Sequence, residues 1–298
     1  MSHSLKPIEE QVIVLTGASS GIGLATAVTA AQRGASLVLN ARSEETLREL
    51  VLQIRDNGGN AVYVAGDIGD ADVAARIAHA AIDHYGRIDT WINNAGVSIF
   101  GRITQVTDDD NRRLFDTNFW GVVYGSLTAL PHLKKSQGAL INVGSETSEA
   151  VVPLQGMYSA SKHAVKGFTD ALRVELRHDK VPVSVTLIEP GATDTPFPQH
   201  ARNYMDREPA LPTPMDDPYD VANAILDAAT SKKRTVRVSG SAKRNTVVAR
   251  FAPPLAERIA AKQMDNQRYN EPPRHPEGTL YQPGGEGLAY GPGGRRQE

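Results

Sequence analysis

The sequence predicts an α/β fold, a doubly wound and mostly parallel seven-stranded sheet with helices on both faces. Three observations carry this expectation. Apolar, β-rich runs alternate with longer amphipathic stretches from residue 11 to about residue 238, and strict alternation of strand and helix builds a parallel sheet. Several runs are apolar at consecutive positions, as in strands covered on both faces. The first run also passes directly into a glycine-rich turn and then a helical stretch.

In chain order, strands are expected at VIVLT (12–16), SLVLN (36–40), AVYVA (61–65), TWINN (90–94), ALINVG (139–144), VSVTLIE (183–189) and TVRVS (235–239). Helical patterns fall at 22–33, 44–57, 71–85, 109–135 and 157–179. Asp217 reads as the N-cap of a further helix, with Pro218 at its first position, where a missing N–H is harmless. Thr107 to Asp110 reads as a helix cap with acids in the first turn. Residues 252–263 read as one short helix. From Glu271 the chain becomes rich in Pro and Gly, a composition expected to give a flexible tail, with docking on another subunit as the sharper alternative. Trp91 and Trp120 are expected to be packing residues.

The 298 residues carry 32 Lys plus Arg against 34 Asp plus Glu, so charge argues for neither a nucleic-acid nor a membrane partner. The absence of cysteine excludes disulfides, thiolate chemistry and Cys-ligated zinc, and fits a reducing compartment. No apolar run approaches the roughly 18 residues of a membrane span, and MSHSLKPIEEQ lacks the pattern of a secretory signal. A soluble cytoplasmic protein is expected. The eight histidines form no HExxH or similar cluster, so no metal site is expected.

Thr16-Gly17-Ala18-Ser19-Ser20-Gly21-Ile22-Gly23 joins the first strand to a helix N-terminus. Glycines allow a tight turn and close approach, while unpaired N–H groups and the helix dipole favour a diphosphate. No GK[ST] ending is present, which argues against a P-loop. In Tyr158-Ser159-Ala160-Ser161-Lys162, Tyr and Lys share a helical face one turn apart. A phenol with a pKa near 10 is a poor proton shuttle at neutral pH. An ammonium roughly 4 Å away, at an effective dielectric of about 20, supplies about 4 kcal/mol and lowers that pKa by about 3. An exposed Tyr along a Lys stem is the bland alternative. Ser145 follows the strand ALINVG, at the sheet edge where ligands bind in open α/β folds. Its hydroxyl can meet an oxygen that gains charge; backbone capping is the alternative, and Ser148 lies close by. Asn93-Asn94-Ala95-Gly96 ends the fourth strand. Asn118 sits inside a helical stretch that Asn disfavours, which suggests either a solvent-facing side chain or a functional distortion.

Together, TGASSGIG, NNAG, Asn118, Ser145, YSASK and Pro190-Gly191-Ala192-Thr193-Asp194-Thr195 resemble the short-chain dehydrogenase/reductase family in order and spacing, over residues 10 to about 240. The resemblance implies a Rossmann-type domain over residues 1–250, with 251–298 as an extension. It implies catalytic roles for Asn118, Ser145, Tyr158 and Lys162. Ser145 would polarise the substrate oxygen, Tyr158 pass the proton, Lys162 hold the nicotinamide ribose and lower the Tyr pKa, and Asn118 support a proton relay. Coenzyme contacts are implied for Gly17, Ser19, Ser20, Gly21, Ile22, Gly23, Asn94, Ala95 and Gly96. Asp67 and Ile68 would contact the adenine side, with Tyr158, Lys162, Pro190, Gly191, Thr193 and Thr195 on the nicotinamide side. Gly144 departs from the pattern, since many relatives carry a second Ser there.

Coenzyme choice rests on the end of the second strand. Ala41 stands where NAD-using relatives carry Asp, and Arg42 follows, a guanidinium suited to a 2′-phosphate. Ser20 is neutral where many NADP-using relatives have a basic residue. NADP(H) is therefore favoured over NAD(H). The expected activity is interconversion of a carbonyl and an alcohol; an epimerase or dehydratase, or a nucleotide-dependent binding or regulatory protein, are the alternatives. Phe100, Val151, Leu154, Met157 and Phe197 are candidate pocket linings, and 193–216 is expected to be either a mobile cover or packed structure. The resemblance also implies a homodimer or homotetramer built on 109–135 and 157–179.

Overall fold

The computed structural model describes residues 4–264, 267–285 and 287–291. Among the described residues nine strands occur: β1 (Val12–Thr16), β2 (Ser36–Ala41), β3 (Asn60–Ala65), β4 (Thr90–Asn93), β5 (Ile99–Phe100), β6 (Ala139–Val143), β7 (Ser184–Glu189), β8 (Arg202–Asn203) and β9 (Thr235–Arg237). Seven form one parallel sheet in the order β3-β2-β1-β4-β6-β7-β9. All residues of β1, β4, β6 and β7 are buried, which is why their sequences read as continuous apolar runs. The order reverses direction between β1 and β4, so a crevice opens beyond their C-terminal ends.

The helices are α1 (Gly21–Gln32), α2 (Glu44–Asp56), α3 (Ala71–Tyr85), α4 (Asp108–Phe115), α5 (Gly121–Ser136), α6 (Gly156–His178), α7 (Phe197–His200), α8 (Pro218–Thr230), α9 (Gly240–Phe251) and α10 (Pro253–Gln263). One core lies between the sheet and α1, α2 and α8. The other, around Trp91, lies under α3, α5 and α6. Asp217 caps α8 as predicted, its carboxylate accepting from the Tyr219 amide at 2.8 Å. The Thr107 side chain likewise caps α4. Among the described residues no helix is long and apolar enough to cross a membrane.

Three differences from the sequence reading stand out. The stretch expected as one helix over 109–135 contains a π-helical segment, Asp116–Trp120, between α4 and α5. Residues 193–216 hold α7 and β8, and β8 pairs in parallel with β5; that region is packed structure. Trp120 is 44% exposed, meeting Phe119 edge-on at 5.3 Å and stacking along Tyr124 at 5.9 Å between ring centroids, whereas Trp91 is fully buried.

Candidate functional site

The glycine-rich turn is held by side chains from the end of β4. The Asn94 amide donates to the Thr16 and Gly17 carbonyls at 3.0 and 3.1 Å. The Thr16 hydroxyl in turn accepts from the Asn94 and Ala95 amides at 3.0 and 3.1 Å. Close approach makes two glycines obligatory: a Cβ on Gly17 (φ +71°) would lie 2.7 Å from Ala95 Cα, and one on Gly23 would lie 1.9 Å from the Gly17 carbonyl oxygen. A tightly closed turn therefore leads into the N-terminus of α1, as a diphosphate site requires.

Lys162 and Tyr158 project from α6 toward the end of β6. The Lys162 ammonium donates to the Val143 carbonyl at 2.9 Å and lies 5.7 Å from the Tyr158 ring centroid. Both side chains are buried. Burial pushes the Lys162 ammonium down to about 8 and the Tyr158 phenol upward, with a hydrogen bond from Ser145 opposing the rise and the nearby Glu146 carboxylate adding to it. The Coulombic argument from sequence left this burial out. The i, i+4 spacing is real, and in this enclosed site burial is the largest influence on the phenol.

Ser145 sits beyond β6, where its hydroxyl also accepts from the Thr147 amide at 3.1 Å, while the Ser145 amide donates to Ser148 Oγ at 3.2 Å. Both readings of Ser145, capping and site, thus meet in one residue. Asn118 lies inside the π-helical segment and is fully buried, which removes the solvent-facing alternative. Its carboxamide accepts from the Val97 amide at 2.8 Å and donates to the Val97 carbonyl at 2.9 Å and to Ser161 Oγ at 3.1 Å. The extra residue in the helical turn aims it inward.

All the sequence-predicted site residues except Asn118 line a single cavity of about 1160 Å³ at the crevice between β1 and β4. Asn118 stands behind it. Of the predicted pocket linings, Val151 and Phe197 are in this cavity, and Phe197 meets the Tyr158 ring edge-on at 5.4 Å. Phe100 instead lies in the core with no exposed surface, because its strand pairs with β8. Met157 faces a separate small cavity beside Phe115, and Leu154 is absent from the lining.

Four contributors escaped the sequence reading. Glu146 follows Ser145 directly and is pushed upward by burial, while accepting from Asn245 of α9 at 2.9 Å. Helices α9 and α10 supply part of the wall. Arg113 pairs with Asp67, whose other oxygen accepts from the Gly69 amide at 2.9 Å. Lastly, the chain's own C-terminal stretch reaches Arg42, which donates to the Leu280 carbonyl at 3.1 Å and to the Thr279 carbonyl. The described residues from Glu271 onward lie against the domain. Pro/Gly content prevents regular structure there but leaves backbone carbonyls free to be used by side chains.

A model of the short chain dehydrogenase family matches residues 11–206. An uncharacterized oxidoreductase, YxnA, of Bacillus subtilis is 45% identical over 285 residues, covering 94% of this chain and 80% of its own length. The 11-beta-hydroxysteroid dehydrogenase A of Sesamum indicum is 34% identical over 76% of this chain, which spans only 65% of that protein. Among solved structures, a short chain dehydrogenase/reductase from Burkholderia phymatum in complex with NAD superposes with a TM-score of 0.76 at 25% identity, covering 84% of this chain and 96% of that one. With the sheet order, the glycine cradle and the Ser, Tyr and Lys group in one crevice, these matches show that the chain belongs to the short-chain dehydrogenase/reductase family.

Proposed function

We propose that this oxidoreductase interconverts a carbonyl and an alcohol with NADP(H) as coenzyme. The observation that carries the reading is the convergence of Ser145, Tyr158 and Lys162 on the cavity that also holds the glycine cradle. The cradle fits a dinucleotide because Gly17 and Gly23 let the turn close tightly on Ala95 and on the Gly17 carbonyl, which brings its backbone to the N-terminus of α1. Gly17, Gly21, Ile22 and Gly23 would hold the diphosphate, Asp67 and Ile68 the adenine side, and Asn94 to Gly96 with Pro190 to Thr195 the opposite half. Arg42, at the end of β2, would meet a 2′-phosphate, to which its donor fork is suited.

The bound coenzyme supplies or accepts the hydride. In the reductive direction Ser145 donates a hydrogen bond to the substrate oxygen as negative charge grows on it, and Tyr158 delivers its proton to that oxygen. The phenol carries its proton at neutral pH, and the negative charge growing on the substrate oxygen draws that proton across. Lys162 holds the ribose side, and Asn118 fixes the backbone of Val97 beside it. The substrate end of the cavity includes Val151, Val152, Phe197, Leu211, Val248 and Ile259, which favours an apolar carbonyl compound; the name of the sesame relative makes steroid ketones the first substrates to assay.

The test is Tyr158→Phe, with turnover of a carbonyl panel followed by NADPH oxidation. Turnover is expected to fall by at least a hundredfold while NADPH binding is retained. Near-native turnover would overturn the mechanism, and product formation without net coenzyme consumption would indicate a non-redox reaction.

A further inference from the structure

The C-terminal stretch crosses the cleft as a strap. It leaves the body beside β8, where Glu277 pairs with Arg202 at 2.5 Å and the Thr279 amide donates to the His200 carbonyl at 2.7 Å. Leu280 is fully buried, in the same cluster as Tyr158, Val97 and Leu114. Its carbonyl accepts from both Arg42 and Arg113 at 3.1 Å, and the Tyr281 hydroxyl donates to Asp110 at 2.8 Å. This is a firm anchor.

Beyond it the contacts change character. Pro283 and Gly284 line the cavity. Gly287 lies against the first turn of α2, where a Cβ would sit 3.2 Å from Thr46 Cγ2. The Leu288 carbonyl accepts from the Gly21 amide at 2.9 Å, at the N-terminus of α1. Gly291 lies against Asp194 and Thr195, and the Tyr290 hydroxyl donates to the Asp217 carboxylate at 3.1 Å. The strap thus touches the ends of β2, β1 and β7 in turn, yet Leu288 remains 49% exposed. A segment held at one end by a fully buried side chain, and at the other by the Gly21 and Asp217 hydrogen bonds and the Tyr290–Tyr219 ring contact at 5.9 Å, opens from the end that buries less.

We propose that residues 287–291 are a coenzyme gate hinged at Pro283 to Gly285: the dinucleotide enters and leaves only when the Leu288 and Tyr290 contacts open. The proposal rests on the coenzyme reading given above. Arg42 and the Gly21 amide hold strap carbonyls, and both stand where a phosphate would approach. The cavity retains about 1160 Å³ with the strap in place, so the strap roofs the cleft and leaves it unfilled.

The absence of native cysteine permits a clean test. In Thr46→Cys/Gly287→Cys, oxidation ties the strap to α2, and dithiothreitol releases it. NADPH association, followed by its fluorescence in a stopped-flow instrument, is expected to slow at least tenfold in the oxidised empty protein. Dissociation should slow as much in protein loaded before oxidation, and reduction should restore both. The unmodified chain gives an independent measurement, in which the observed association rate is expected to plateau at high NADPH, at the opening rate. Equal rates in oxidised and reduced protein, or a linear dependence on NADPH in the unmodified chain, would overturn the gate alone. No binding of NADPH or NADH by the reduced or unmodified protein would overturn the coenzyme reading itself, and the gate with it.

Discussion

Lys162 is 4% exposed and has a single backbone carbonyl as hydrogen-bond acceptor. Lowering its pKa from 10.5 to about 8 means that the empty protein stores about 3 kcal/mol of unfavourable charge burial below pH 8. Between pH 8 and 10.5 the unfolded chain binds the extra proton, so stability rises with pH across that window. Lys162→Met removes the charge while losing about 1 kcal/mol of hydrogen bonding at Val143. It is expected to abolish turnover, to raise unfolding free energy by about 2 kcal/mol at pH 7, and to flatten the alkaline slope. Denaturant unfolding at pH 7 and 9.5 checks this; a less stable variant contradicts it. Arg42 gives a second local prediction. A lost charge-assisted hydrogen bond costs about 2 kcal/mol, or roughly thirtyfold, so in Arg42→Ala the ratio of kcat/KM for NADPH over NADH should fall by about that factor. An unchanged ratio removes Arg42 from coenzyme choice.

Elements differ in how plainly the sequence announced them. The central strands β1, β4, β6 and β7 were legible because two-sided burial makes them largely apolar, and α8 because Asp217-Pro218 marks its start. The two-residue β5 and β8 were not, since their pairing brings together segments about a hundred residues apart. Helix α9, with Lys243, Arg244 and Arg250 among its residues, lacks a broad apolar stripe and passed unread. Asn118 was legible as a misfit, and the π-helical turn is the physical form that misfit takes. The end of β7 carries a further consequence. Glu189 is fully buried, 3.0 Å from Arg237 Nε of β9, and burial pushes its carboxyl up to about 7 against the opposing pull of Arg237. Because the folded form prefers the proton, this group contributes stability below about pH 4.5 that is lost as pH rises through 7. Glu189→Gln should therefore remove a downward slope in stability between pH 4.5 and 7; thermal unfolding across that range that retains the slope would assign it elsewhere.

For the molecule as a whole, the site motifs were readable because each belongs to a strand end or helix start whose position the alternating pattern defines. What composition concealed was the use of the Pro/Gly-rich stretch, whose contacts are made by carbonyls that every residue possesses. An apolar patch lies within 109–135, one of the stretches from which the family resemblance implies assembly: Trp120, Tyr124 and Leu127 share one face at helical spacing, with Trp120 and Leu127 at 44% and 53% exposure. We propose that this face joins two copies. Trp120→Glu is expected to shift the protein toward monomer in light scattering coupled to size exclusion, and an unchanged mass would place the interface on another surface.

Leu280 is buried beside Tyr158 although more than a hundred residues separate them in sequence. During synthesis the sheet from Val12 to Arg237 leaves the ribosome well before this leucine does. A chain paused at that stage lacks the leucine that completes the buried cluster around Tyr158, so this part of the core closes with the final segment rather than with the sheet.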